Sequence, residues 1–356
     1  MPRFAPDALA EIGREIFQAL GCSEADAATV TDHLVESSLF GHDSHGTLRF
    51  YEYVEHIRKG VWNPIGTPAI VAEKPCTAVV DGGGAMGQVG GDFAIRLAMK
   101  KAREQGVATV SLRNCCHVGR CGAYPLAAAR DGLIGLAFVN AGSLGRQIAP
   151  HGGLDGRLST NPIAFAAPRR GHDPIMVDMA TSTTAEGKVR VYQNRGQAIP
   201  KGWLTDRSGK VSTDPADYLN LAGGAILPLG GVAAHKGYCL SMIVEILGGA
   251  LSGQGCAAGD IVMKSNGVLL TVYDIEHFVD IDDYYENLEG LIAHVMGSRV
   301  DPKVGEIQLP GEPEFRSEAK CRLEGIEIDE TTWRRICEEG KALELDTEKW
   351  NRASLN

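Results

Sequence analysis

The chain has 356 residues, enough for two or three domains or one large composite body. Its formal charge of −10, with no basic run anywhere, argues against nucleic acid and anionic membrane partners, and no window of about 18 apolar residues exists to span a bilayer. The opening "MPRFAPDALA" lacks the apolar core of a signal peptide, and nine scattered cysteines, an odd number, suit a reducing compartment, so a cytoplasmic protein is expected.

The first predicted helix is "PDALAEIGREIFQAL", with Leu9, Ile12, Ile16, Phe17 and Leu20 at helical spacing and Gly21 as its stop. Ser23 with Asp26 then reads as the cap of a second helix, "EADAATVTDHLVESSLF". A third runs over roughly Thr47–Lys59 and ends at Gly60. From Trp62 to Pro75 the chain is punctuated by prolines and reads as a linker or irregular strand. A strand ("CTAVV"), a glycine-rich turn, a helix ("FAIRLAMKKAREQG") and a second strand ("VATVSL") follow. Between about Ala123 and Ala167 short apolar runs alternate with Gly, Pro and Asn, which predicts strands and tight turns. "GYCLSMIVEILGGALSG" reads as a buried helix and "GVLLTVYDI" as a strand. The tail after Pro313 ends in a helix carrying Trp333, Ile336 and Cys337. The class is α/β, without repeats or a sharp domain boundary.

Gly82, Gly84 and Gly87 in "VVDGGGAMGQVGGDFAI" spell G-x-G-x-x-G between strand and helix. A pyrophosphate loop of that kind needs an acidic residue roughly 20 positions on, at the end of the next strand. Arg113 and Asn114 stand there instead, and further downstream than such a unit allows. Gly90 and Gly91 would also fall in the first helical turns, where each costs about 1 kcal/mol. With 44 glycines in the chain, the match reads as a turn and not as a cofactor loop.

The densest polar cluster is "GHDSHGTLRFYEY". Asp43 or Ser44 is placed to cap a helix starting near His45, with His45 and Arg49 sharing a face at i and i+4. An imidazole beside a guanidinium at a helix N-terminus suits a carboxylate whose neighbouring oxygen exchanges a proton, with an inflection near neutral pH. Taken alone the cluster is equally a helix cap with solvated charges. "RNCCHVGRCGAYP" puts His117 between two strand-like runs. Its cysteines do not make a metal site, because adjacent residues of a strand point opposite ways and no second C-x-x-C pair exists. "STNPIAFAAP" and "VDMATSTTAEGK" end strands in turns rich in hydroxyls, with Thr160, Asn161, Thr181, Ser182 and Lys188. His235 and Lys236 precede a helix, and Gly311 sits in the turn "LPGEPEF".

Together "GHDSHGTLRFYEYV", "NCCHVGRCGAY", "RLSTNPIAFAAP", "VDMATSTTAEGKV", "IPKGWLTDRSG", "HKGYCLSMIVEILGGALSG" and "LPGEPE" occur in the order found in the malate/L-lactate dehydrogenase-type oxidoreductases. That family includes ureidoglycolate dehydrogenase, diketogulonate reductase, piperideine-carboxylate reductase and hydroxycarboxylate dehydrogenase B. The forms "HVGR", "HKGY" and "PGE-x-E" look closest to the last.

The resemblance implies the family's own non-Rossmann α/β fold, with a helical N-terminal part and a distinct cofactor domain. It would place the substrate and dimer part in 1–120, completed by 306–356, and the NAD(P)-binding part in 121–305. The subunits would form a homodimer. It further implies that His45, assisted by Ser44, is the acid/base and that Arg49 holds the substrate carboxylate. His117 would stand beside the nicotinamide as a second acid/base candidate, with Gly119, Arg120 and Cys121 continuing that wall. Thr160 would touch substrate or nicotinamide, and Asp178, Met179 and Ala180 the cofactor. His235 and Lys236 would approach adenosine or phosphates, and Gly311, Glu312 and Pro313 would close the other side. Lys188 stands where imine-reducing relatives carry an acid, which favours a 2-oxo acid/2-hydroxy acid pair over imine reduction; the alternatives on the same fold are a reductase of a cyclic imino acid and a dehydrogenase of ureidoglycolate. The cofactor would be NAD or NADP, with the lean to NAD, and no metal is expected. A non-catalytic binding protein of the same shape is the reading that His45, Arg49 and Lys188 together oppose.

Overall fold

The computed structural model describes residues 1–142, 146–219, 222–258 and 265–355. A short strand β1 (Arg3–Phe4) leads into α1 (Pro6–Ala19) and α2 (Glu24–Leu39). Ser23 caps α2 as expected, its hydroxyl accepting the Asp26 N–H. The third helix, α3, spans Arg49–Arg58. Their apolar faces close one core around Phe17, Leu34, Phe50 and Tyr53. The C-terminal elements complete it: α9 (Glu312–Glu324), β12 (Ile326–Glu327), α10 (Glu330–Ala342) and α11 (Thr347–Arg352). β1 pairs with β12, Trp333 lies against Phe4, and Trp350 is fully buried, so the two chain ends build one body.

The second core is a seven-stranded sheet. Its strands are β2 (Ala69–Lys74), β3 (Thr77–Asp81), β4 (Val107–Cys115), β5 (Ile134–Asn140), β6 (Ile163–Arg169), β7 (His172–Met179) and β11 (Asn266–Tyr273). The spatial order is β2-β3-β4-β11-β5-β6-β7. Only β3 and β4 run parallel, joined through α4 (Gly87–Gln105). The stretch expected to be a linker or irregular strand supplies the edge strand β2, whose pairing with β3 shifts register between Ile70 and Ala72. The expected first part contributes β2–β4 and the expected second part β5–β7 and β11, so one sheet and one core serve both. A helix, α5 (Ala123–Arg130), occupies a segment expected to hold only strands and turns; Pro125 falls in its first turn, where a missing N–H costs nothing.

A third, smaller core gathers Ile148, Leu158, Val189, Ile199, Leu204 and Ile226. It lies under α6 (Glu186–Asn194) and the strands β8 (Leu204–Thr205), β9 (Val211–Ser212) and β10 (Ala225–Ile226). The helix expected to be buried is α7 (Ala234–Val244), continued by a π-helical turn over Glu245–Ala250. Only one face of it is buried: Met242, Ile243, Ile246 and Leu251 are exposed, as are Leu291, Val295 and Met296 on α8 (Ile281–Met296). Among the described residues no helix is long and apolar enough to cross a membrane.

The glycines of the turn have structural reasons within the protein itself. Gly83 and Gly84 have left-handed φ of 61° and 72°, the conformation glycine adopts without strain. At Gly87 a Cβ would lie 2.2 Å from the His117 carbonyl oxygen, and at Gly91 one would lie 2.3 Å from the Tyr124 ring. The close approaches are to the protein itself.

Candidate active site

The site forms where α3, the segment after β4 and the start of α6 meet. His45 does not lie on α3: it ends a three-residue 3-10 turn, Asp43–His45, and α3 begins at Arg49. Neither Asp43 nor Ser44 caps α3, whose preceding residue, Leu48, offers no side-chain acceptor. The tight turn wins because the chain breaks at Gly46 before the helix starts. Arg49 folds back across that break, its Nε donating to the Ser44 carbonyl at 2.7 Å. Its Nη1 pairs with Glu52.

From Arg49 the helical spacing i+3, i+4 and i+7 carries Glu52, Tyr53 and His56 to the same face. All four line a pocket of about 150 Å3 with Trp62, His117, Ala141, Ser265 and Asn266. Of these only Arg49 and His117 are singled out by sequence reasoning. The α3 periodicity counted from Arg49 was the signal for Glu52, Tyr53 and His56; Trp62, Ala141, Ser265 and Asn266 arrive through tertiary contact.

His117 follows the end of β4 and lies over His45, their rings stacked with centroids 5.4 Å apart and planes 25° apart. Ser44 Oγ lies 2.9 Å from His45 Nδ1. Ser44 also borders a larger cleft of about 780 Å3, which Gly187, Lys188, Arg195, Pro313 and Glu314 share. A Cβ on Gly187 would sit 3.8 Å from the Ser44 Cβ, so the start of α6 touches the Ser44–His45 turn. The two histidines thus stand between the small pocket and the cleft.

Burial holds the His45 imidazole down to about 3, and the nearby Arg49 charge pushes the same way. The same two causes, in the same order, hold His117 well below the ordinary imidazole range. Both rings are therefore neutral at neutral pH in the free protein, and the neutral-range inflection expected from sequence moves to the acid side. A carboxylate on Arg49 would cancel part of its push and raise both imidazoles back toward their ordinary range, making them easier to protonate.

Other sequence-expected residues take different places. Arg120 is buried, pairing with Glu36 at 2.8 Å and lying 3.8 Å from Asp178, while its N–H donates to His33 Nε2 at 2.8 Å. Asp178 accepts the Gly122 N–H at 2.8 Å, and the Cys121 thiol is buried beside that pair. These side chains pair with one another inside the protein. Met179 and Ala180 follow Asp178, and the Met179 side chain is exposed. The Thr160 carbonyl accepts from the Thr181 backbone and hydroxyl. His235 and Lys236 are exposed in the first turn of α7. Gly311, at φ 98°, lets the turn before α9 close on Met176 of β7. Pro313 faces the cleft, whereas Glu312 turns to the Leu309 N–H and Arg316. Among the described residues no cluster of three His, Cys, Asp or Glu side chains is placed to share a metal ion.

The site thus brings one guanidinium and two stacked imidazoles together. The chain belongs to the malate/L-lactate dehydrogenase family, whose profile matches residues 4–337. It is 38% identical over 333 residues to a malate dehydrogenase of Pyrococcus horikoshii, covering 91% of this chain and 89% of the relative. The fold matches a sulfolactate dehydrogenase from Methanocaldococcus jannaschii at TM-score 0.87 and 33% identity, over 98% of this chain and 99% of that one. It also matches a delta1-piperideine-2-carboxylate reductase from Pseudomonas syringae at TM-score 0.83 and 29% identity, over 95% and 100% of the two chains. The protein is an oxidoreductase with the fold of this family.

Proposed function

We propose that this enzyme interconverts a 2-oxo acid and its 2-hydroxy acid, with Arg49 holding the carboxylate and the His45–His117 pair flanking the reacting oxygen. The observation that carries this reading is the stack of two buried imidazoles at 5.4 Å, one of them lining the same pocket as Arg49. A nicotinamide, when bound, supplies the hydride. His45 moves the proton at the substrate oxygen and Ser44 orients it through Nδ1. His117 stands opposite as the second acid/base candidate. The small pocket, about 150 Å3, limits the size of the substrate.

The donors present fit a dinucleotide. His235 and Lys236 are exposed at the start of the 11-residue helix α7, where free N–H groups also favour phosphate. Met179, Ala180, Thr160 and Pro313 lie toward the nicotinamide end. Arg120, Cys121, Asp178 and Glu312 contribute through the backbone, and Gly119 and Gly311 by letting the chain turn. NAD is favoured over NADP, because α7 opens with one histidine and one lysine and no arginine pair to grip a 2′-phosphate. Lys188 beside the Ser44 turn, in place of an acid, favours an oxo acid over a cyclic imine. Malate, lactate and sulfolactate partners all fit this class.

The division of labour is that 1–120 with 306–356 binds substrate and partner, while 121–305 binds the cofactor. A homodimer accounts for the apolar side chains left exposed on α7 and α8. Light scattering would give twice the chain mass, and a monomer at working concentration refutes the assembly. A cytoplasmic location agrees with the nine cysteines, all free. The function itself is tested with a panel of 2-oxo acids, including the malate, lactate and aromatic partners, plus one cyclic imino acid, each with NADH and NADPH. Turnover of an oxo acid with NADH is expected; turnover of the imino acid alone overturns the reading.

A further inference from the structure

The site contains a buried hydrogen-bond chain that the reaction as described does not use. Tyr53 and Gln88 are each 1% exposed, and they reach His117 in series, Gln88 through Tyr53. Gln88 Nε2 donates to the Tyr53 hydroxyl at 2.9 Å, and that hydroxyl lies 2.7 Å from His117 Nδ1. The Gly119 N–H also points at Nδ1, at 3.3 Å. A backbone N–H can only donate, so this contact favours a lone pair on Nδ1. The phenol, receiving from Gln88, then has its own proton free for the same nitrogen.

The reverse assignment is less satisfactory. It turns the Gln88 carbonyl to the phenol, spends the phenolic proton there, and puts a proton on Nδ1 facing the Gly119 N–H. Among the described residues, the observed orientation leaves Gln88 Oε1 without a partner. One unpaired carbonyl costs about 1–3 kcal/mol, and the fold accepts it to keep the amide N–H on the phenol.

We propose that Gln88 and Tyr53 are positioning residues that, with the Gly119 N–H, hold His117 as the Nε2–H tautomer. His117 then presents a neutral N–H donor toward the pocket. It polarises the 2-oxo group by hydrogen bonding, while the proton itself passes through His45. This assigns the two histidines different tasks and rests on the proposed 2-oxo acid chemistry. It also gives the glycine-rich turn a purpose, because Gly87 admits the His117 peptide and the next residue, Gln88, begins the chain that fixes its ring.

Nitrogen NMR of protein labelled at histidine reads the tautomer without any turnover, with the His117 signal assigned by its loss in His117→Asn. The expected result is a protonated Nε2 and an unprotonated Nδ1. In Tyr53→Phe, which keeps the ring packed on Trp62, the single tautomer should give way to a mixture. Turnover should fall about 10- to 100-fold with the oxo-acid KM changed less than about 3-fold, as loss of an orienting partner implies. Gln88→Glu should reverse the chain, because an ionised carboxylate only accepts: the phenol turns to it and Nδ1 takes the proton. If Tyr53→Phe does not fold, Gln88→Glu alone decides. A wild-type protein protonated at Nδ1, or variants whose tautomer stays as in wild type, overturns the proposal. A correct tautomer in a protein that turns over no oxo acid would instead refute the function and leave the relay standing.

Discussion

Replacing Gly87 with alanine separates the two readings of the glycine-rich turn. A Cβ there would stand 2.2 Å from the His117 carbonyl oxygen, 2.3 Å from its carbon and 2.5 Å from the Cys116 oxygen, against 3.4 Å for the start of ordinary contact. All three atoms are backbone, so no side chain can swing away. The segment carrying His117 must move by about 1 Å, a displacement that costs roughly 100-fold in rate when it falls on a catalytic group. The overpacking itself should destabilise by about 1–3 kcal/mol. Gly84→Ala is the control. Its φ of 72° is unfavourable for alanine, but the nearest atom, Asn63 Cβ, is 3.7 Å away. That variant should lose about 1–2 kcal/mol of stability and little activity. Thermal melts, fluorescence titration with NADH and steady-state turnover, run on both variants, complete the comparison. A folded Gly87→Ala protein with wild-type turnover, or one whose only loss is NADH affinity, would refute the reasoning.

Arg49→Lys should mainly raise the KM for the oxo acid, since lysine loses the Nε bond to the Ser44 carbonyl and the forked geometry; an unchanged KM with weakened NADH binding would contradict the anchor. His45→Ala should lower turnover about 100-fold or more while NADH still binds, and near-wild-type turnover would move the proton to His117. Stability should fall with acid. His33 and His45 are held down to about 3 in the native protein and His117 is held low as well, whereas the unfolded chain protonates them from 6.5 downward. Folded pKa values below the unfolded ones mean stability is complete above 6.5 and is lost as pH falls from there toward 3. Melting temperatures taken from pH 8 to pH 4 should drop below about 6.5, and a Tm that rises toward acid would refute this.

The sequence was most informative where local chemistry decides. α1, α2 and its Ser23 cap, β3, β4 and β11 follow from periodicity and from one capping side chain. α5 was missed because glycines and Pro125 surround a short alanine-rich run, and the exposed face of α7 because an apolar helix looks buried whichever partner covers it. The shared sheet was hidden for another reason: β11 inserts between β4 and β5 from far along the chain. At the site, His45, Arg49 and His117 were legible from residue type and order. That His45 stacks on His117, and that Tyr53 and Gln88 hold the latter, depends on contacts up to 72 positions apart and leaves no local mark. Arg120 shows the converse: it lies beside the right histidine in sequence, but its guanidinium turns inward to Glu36.

The most direct test of the account is the fate of the transferred hydrogen. NADH deuterated at the reactive carbon is incubated with the enzyme and the best 2-oxo acid of the panel, and the product is weighed by mass spectrometry. The account requires one deuterium on C2 of a 2-hydroxy acid, abolished or strongly slowed in His45→Ala. A product without deuterium at C2, or deuterium transferred only to the carbon of a cyclic imine, would contradict it.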